Sequence, residues 1–369
     1  MRQICTLFAF VFVVLLFAAD TSFGQPPQPG PDMAIDAATR ASVVDAVIKE
    51  LNDYYVFPET AKKMEADLRS RAAKTEYDSV TGAQAFAKKL TEDLQSVSHD
   101  KHLRVRFSVD AIPVRQERSE PTADEKAEGI WYNKRLNYGF QKIERLDGNI
   151  GYIDLRGFFD PAEGADAVAS AMNFLSNTES LIIDLRQNGG GDPEMVALIC
   201  SYFFGDKPVH LNDLYWRKGD KTEQFWTKPT VAGKKYGNRD VYILTSNRTF
   251  SGAEEFSYNM KNLKRATIIG ETTGGGAHPG SFVRLSEHFG AFIPSGRAIS
   301  PITKTNWEGV GVEPDIKMPK EQALKTAYVM ALTKSLENIK NESVKRGVRE
   351  LIETARKELD DMKKTAKTE

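Results

Sequence analysis

Three short stretches of this sequence hold residues whose types and spacing suit catalysis. "TFSGAEEF", residues 249–256, sets Ser251 where a strand-like run gives way to a helix. A serine there caps the helix by accepting hydrogen bonds from first-turn N–H groups. The same place suits a nucleophile, because those N–H groups and the positive end of the helix dipole stabilise negative charge on an attacked carbonyl oxygen. From this segment alone both roles stay open. "DLRQNGGGDP", residues 184–193, ends a strand and passes three glycines before the next helix. Consecutive glycines turn the backbone sharply and present N–H groups to a ligand. Neither a GxGxxG spacing nor a Lys-Ser/Thr pair accompanies them, so nucleotide binding finds little support. The third group is the five histidines, His99, His102, His210, His278 and His288. His102 opens the strand "HLRVRF" after the loop "SHDK", a place from which a side chain can project into a cleft. No HExxH and no His/Asp cluster of ligand spacing occurs, so no metal and no cofactor is expected.

The elements that must position these residues can be read from periodicity. "ASVVDAVIKELNDYY" puts Val43, Val44, Val47, Leu51 and Tyr54 at helical spacing, Pro58 opens a second helix, and "TGAQAFAKKLTEDLQSV" makes a third with Phe86, Leu90 and Leu94 on one face. These three predict a small bundle. The period changes to two in "LRVRFSV", a strand. Residues 110–135 are polar and charged and read as a loop or excursion. From Leu136 strands and helices alternate: "NYGFQKIERL" and "NIGYIDL" around the turn "DGN", then "SLIIDL", "DVYILT" and "ATIIG" as buried strands between helices, and "SFVRLSEHFGAFIPSG" as a strand pair. The alternation implies an α/β core, and two charged helices close the chain.

Composition excludes several classes. Fifty Lys+Arg against 51 Asp+Glu give a net charge of −1, which offers no argument for nucleic acid or an anionic membrane surface. The N-terminus, with Arg2, the apolar run "LFAFVFVVLLFAA", and Ser22 and Gly24 before Gln25, reads as a secretory signal. The run is short for a span of roughly 20 residues, so an exported, periplasmic or extracellular protein without stable membrane insertion is expected. Cys5 lies inside that run. Cys200 is then left alone, a core residue with no internal disulfide. The expected layout is a signal at 1–24, a flexible leader at 25–33, a helical bundle ending in a strand at 34–107, an excursion at 108–135, an α/β core at 136–318, and C-terminal helices and tail at 319–369.

"GYIDL", "LIIDLRQNGGG", "YILTSNRTFSGAEEF", "GETTGGG" and "EGVGVEPDI" occur in the order found in C-terminal processing (tail-specific) serine peptidases, and this part of the chain, about 136–318, resembles that family. The preceding bundle with "HDKHLRV" resembles the branch that includes tricorn core protease and interphotoreceptor retinoid-binding protein. The resemblance implies an α/β, ClpP/crotonase-like core of spiral β-β-α units and a peptide or protein substrate. It implies Ser251 as nucleophile, the backbone N–H of Gly252 with that of Gly189 or Gly190 as oxyanion hole, His102 as base and Glu308 as its carboxylate. His278, in "GGGAHPG", is the rival base. Two departures stand out. Where the bacterial enzymes carry a catalytic Lys, this chain has Gly276. Between His102 and the core only about 35 residues intervene, too few for a PDZ domain.

In such a triad neutral His102 takes the serine proton and returns it to the leaving amine, while Glu308 orients the ring. A neighbouring carboxylate raises a histidine from its ordinary pKa of about 6.5, so ionisation near neutrality is expected. The alternative function is a non-catalytic carrier of apolar small molecules, its pocket lined by aromatics such as Phe158, Phe159, Tyr202, Phe203, Trp216 and Trp226.

Overall fold

A computed structural model describes residues 32–114 and 122–365. The signal at 1–24, all but the end of the leader, and the last residues of the tail fall outside the described residues.

The N-terminal bundle is α1 (Ala37–Tyr54), α2 (Pro58–Ala73) and α3 (Ala83–Ser98). Asp36 caps α1 by accepting from the Thr39 N–H. Pro58 opens α2 at a position whose N–H has no helical partner anyway. Strand β1 (Arg104–Phe107) follows. The segment expected to be a loop contains α4 (Ala123–Arg135). That helix carries charge all round and leaves Trp131 and Tyr132 more than half exposed, so it has no apolar face to betray its period.

The core runs β2 (Phe140–Leu146), β3 (Ile150–Leu155), α5 (Pro161–Phe174), β4 (Ser180–Asp184), α6 (Pro193–Ser201), β5 (His210–Trp216), β6 (Lys221–Trp226), β7 (Val241–Thr245), α7 (Gly252–Asn262), β8 (Thr267–Gly270), β9 (Gly280–Arg284), β10 (Phe289–Pro294), β11 (Gly296–Ile299) and β12 (Ile316–Lys317). Helices α8 (Lys320–Ser335) and α9 (Glu342–Thr365) close it. The central sheet has the order β12-β8-β7-β4-β3-β2, parallel except for β2. Alternate residues of its strands feed two cores. Leu181, Ile183, Val241 and Ile243 pack with α5, α6 and α7, whereas Ile182, Tyr242 and Leu244 pack with α8 and α9. Covered faces explain why the central strands read as unbroken apolar runs. The molecule is thus mixed α/β with a helical N-terminal region.

Two small sheets complete the frame. β1 pairs antiparallel with β10, and β10 with β9, so Phe289, Ala291 and Ile293 share a core with Val47, Leu90 and Val105. This pairing fixes the loop before β1, which carries His102, against the α/β core. The hairpin β5–β6 pairs with β11.

Candidate functional site

Ser251 directly precedes α7 with φ 54° and ψ −121°. Side-chain-bearing residues rarely adopt that region, and it holds the residue in a strained turn. The Ser251 N–H donates to Glu254 Oε2 at 2.9 Å. Glu254 is fully buried and also accepts from Thr273 Oγ1 at 2.5 Å, Gly275 N–H at 2.6 Å and Gly276 N–H at 2.8 Å. One carboxyl therefore locks the serine turn to the Gly275–Gly276 segment. Burial raises its pKa, and these hydrogen bonds work against that rise.

In the glycine run the sequence expectation needs correcting. The Gly190 N–H donates to Asn188 Oδ1 at 2.8 Å and is committed there. Gly189 is exposed, with open space where a Cβ would stand. The Gly191 backbone lies against Gly252, its nitrogen and its carbonyl oxygen each 3.1 Å from the position of a Cβ on Gly252. Among the described residues neither the Gly191 nor the Gly252 N–H has a protein acceptor. Gly191 needs to be glycine: φ is +140°, and a Cβ would stand 1.9 Å from the Phe158 carbonyl oxygen. Sequence spacing cannot say how three neighbouring glycines turn their N–H groups.

The two candidate bases occupy opposite environments. The His102 ring packs at a tilt of 41° against Phe250, the residue before Ser251, at 4.5 Å between centroids, and lies 5.8 Å from Phe292. Its Nδ1 is buried without a hydrogen-bond partner. Burial drives its pKa down to about 4, opposed by the negative charge of Asp100. His102 is therefore neutral at pH 7, and its titration lies below the range expected from sequence. Glu308 is not its partner: Glu308 Oε2 accepts from the Ala277 N–H at 2.5 Å and lies 3.4 Å from His278 Nδ1. His278 is nearly sealed, with Nδ1 2.8 Å from Asp100 Oδ2. Burial first, then the Asp100 charge, pushes the Glu308 carboxyl up to about 7.

Asp100, which sequence reasoning passed over, joins both histidines. It is fully buried and accepts from the His102 N–H at 3.0 Å and the Tyr55 hydroxyl at 3.2 Å while holding His278. The signal was present in "DKH", where an Asp oxygen bonds the N–H two residues on. Asp100, His278 and Glu308 also bring ligand-type atoms within 4.8 Å of one another, a donor set that could hold a divalent cation. The remaining histidines stand in other settings. His99 caps α3 in the left-handed region, His210 stacks on Trp226, and His288 lies 3.1 Å from the Ser108 carbonyl.

A Cβ on Gly276 would fall 2.2 Å from Phe250 Cζ and 2.6 Å from His102 Cε1. The space a lysine would need at 276 is thus filled by the rings of His102 and Phe250. Gly276 lines a small cavity of about 50 Å³ together with Ser251, Gly252, Gly191, Glu255 and Trp307. Ser251 and the backbone of Gly191 and Gly252 meet there, with the His102 ring next to Gly276. The aromatics considered for an apolar pocket are elsewhere: Phe158, Tyr202 and Phe203 are buried in the α/β core. Among the described residues no helix is long and apolar enough to cross a membrane.

The model of peptidase family S41 matches residues 149–318, and that of the N-terminal domain of this family in eukaryotic IRBP matches 37–137. Carboxyl-terminal-processing peptidase 2, chloroplastic, of Arabidopsis thaliana is 30% identical over 182 residues, 46% of this chain and 32% of that protein. A probable CtpA-like serine protease of Staphylococcus aureus (strain bovine RF122 / ET3-1) is 24% identical over 294 residues, 76% of this chain and 54% of that protein. The chain thus spans between a third and just over half of these relatives' length. A solved structure of a putative peptidase from Parabacteroides merdae ATCC 43184 shares the fold with a TM-score of 0.56 and 18% identity, covering 79% of this chain and 96% of that one.

Proposed function

Because the chain belongs to peptidase family S41, we propose that it is a serine endopeptidase, with Ser251 as nucleophile and His102 as general base. The observation that carries this reading is the His102 ring standing beside Gly276 and against Phe250, the neighbour of Ser251, while Gly276 and Ser251 line one cavity. A buried neutral imidazole can accept the Ser251 proton as the oxygen attacks the substrate carbonyl. The Gly252 and Gly191 N–H groups, both without protein acceptors, then hold the oxyanion; one such donor is worth about 10²–10³ in rate. Negative charge at Asp100 favours the imidazolium that forms. The ring returns the proton to the leaving amine, and water repeats the sequence on the acyl-enzyme.

Glu308 enters through a different route from the one the sequence suggested. It holds the Ala277 N–H and His278, and so fixes the segment that walls the cavity. In this reading the substrate is a peptide or protein met after export, no cofactor takes part, and the carrier alternative gains no supporting observation.

Fluorophosphonate labelling of the purified protein tests the proposal. The probe should attach at Ser251, and Ser251→Ala should lose both labelling and peptide cleavage while remaining folded. Undiminished cleavage by folded Ser251→Ala would end the proposal.

A further inference from the structure

Glu254 and Glu255 are adjacent in sequence and both buried, yet they are treated oppositely. Glu254 accepts four hydrogen bonds. Glu255 lines the cavity beside Ser251 and its Oε1 has no partner. Asn212 is buried close by, near enough to draw the Glu255 pKa down, yet neither its Oδ1 nor its Nδ2 makes a well-formed hydrogen bond. It lies on the same face of β5 as Leu214, which lines the cavity. The other lining side chains are apolar apart from Ser251: Pro193, Leu214, Ala277, Pro279, Ala298 and Trp307. Buried polar groups are ordinarily satisfied, and a carboxyl with one oxygen left unpaired in such a place calls for a ligand.

We propose that Glu255 selects the side chain on the acyl side of the scissile bond, P1, and that the cavity takes the primary ammonium of lysine. The assignment rests on the peptidase reading above. A lysine stem is unbranched and suits apolar walls, and its head carries three N–H donors for the Glu255 and Asn212 oxygens. A volume of about 50 Å³ holds roughly four water-sized groups, close to a lysine side chain and too little for the broader guanidinium of arginine. Burial, with a smaller contribution from the Asp192 charge, pushes Glu255 up to about 8, while Asn212 draws it down. Buried Cys200 faces it from α6 with its own thiol held protonated by burial. Burial thus favours the protonated form of Glu255 near neutrality. A facing ammonium favours the carboxylate, so binding of lysine releases a proton to solvent.

The test compares peptides identical but for Lys, Arg or norleucine at P1. The wild type should cut the Lys peptide with a kcat/KM at least about tenfold above norleucine, and Arg below Lys. In Glu255→Gln the Lys:norleucine ratio should fall toward one, and Asn212→Leu should lower it part of the way. Both substrates are read on one preparation, so any loss of folded enzyme cancels in the ratio. A ratio unchanged by Glu255→Gln, or norleucine preferred by the wild type, overturns the assignment and leaves the peptidase reading standing. No cleavage in a broad peptide library together with no fluorophosphonate labelling removes both.

Discussion

His102 and His278 lie close enough for their charges to interact, yet the fold gives them contrary surroundings. His102 sits between phenylalanine rings with Nδ1 unpaired, and burial keeps it neutral. His278 lies 2.8 Å from one carboxylate and 3.4 Å from another. A base must start neutral and exchange a proton with substrate, whereas a ring clamped by two acids is better placed to hold structure. Two histidines near one carboxylate thus differ in how they pack against the serine turn, and that difference is what favours His102 in the proposed mechanism.

The largest effect should come from removing the base. His102→Ala should lower kcat by about 10²–10⁴ with little change in melting temperature. His278→Ala should lower melting temperature and cost less in kcat. Kinetics and thermal scans of the two variants break the comparison if the losses are exchanged. Next in size is Asp100→Asn, which touches both rings. Without the charge that favours the imidazolium, kcat should drop about tenfold to a hundredfold, more than in Glu308→Gln.

The pH profile sharpens the same contrast. His102 is lowered to about 4, so kcat/KM should rise as pH increases through that region, where the imidazolium loses its proton, and remain high across neutrality. Glu308, raised to about 7, adds a smaller step near neutrality through the His278 segment. Glu308→Gln should erase that step and leave the acidic one. A single large step near pH 7 that survives Glu308→Gln would show that His102 titrates as an ordinary exposed histidine, contrary to its burial.

Much of this was legible in the sequence where the physics is local. The three N-terminal helices, the buried parallel strands and Ser251 at a strand-to-helix turn follow from periodicity and punctuation. Just past the first helix Tyr55, not Tyr54, is the sealed ring. Helix α4 escaped because its apolar side chains face solvent. The β5–β6 hairpin escaped because a bulge interrupts its register between His210 and Asn212 and a buried Asn replaces the expected apolar residue. The site was partly legible. Ser251 and His102 come from motifs, but Asp100 and His278 meet across 178 positions of chain, and no local pattern announces such a pair. In the glycine run an Asn188 side chain claims the Gly190 N–H and leaves the next without an acceptor among the described residues.

The backbone at Ser251 sets activity against durability. At φ 54° and ψ −121° a residue with a Cβ carries strain of about 1–3 kcal/mol. Alanine would keep that strain and lose the hydroxyl, whereas glycine would relax into the same turn. Ser251→Gly should therefore melt above Ser251→Ala, the reverse of the order expected from helix propensity, and a thermal scan of the two variants reads the difference directly. Selection for stability alone would place glycine at 251, so a strained serine there fits the proposed role of its hydroxyl.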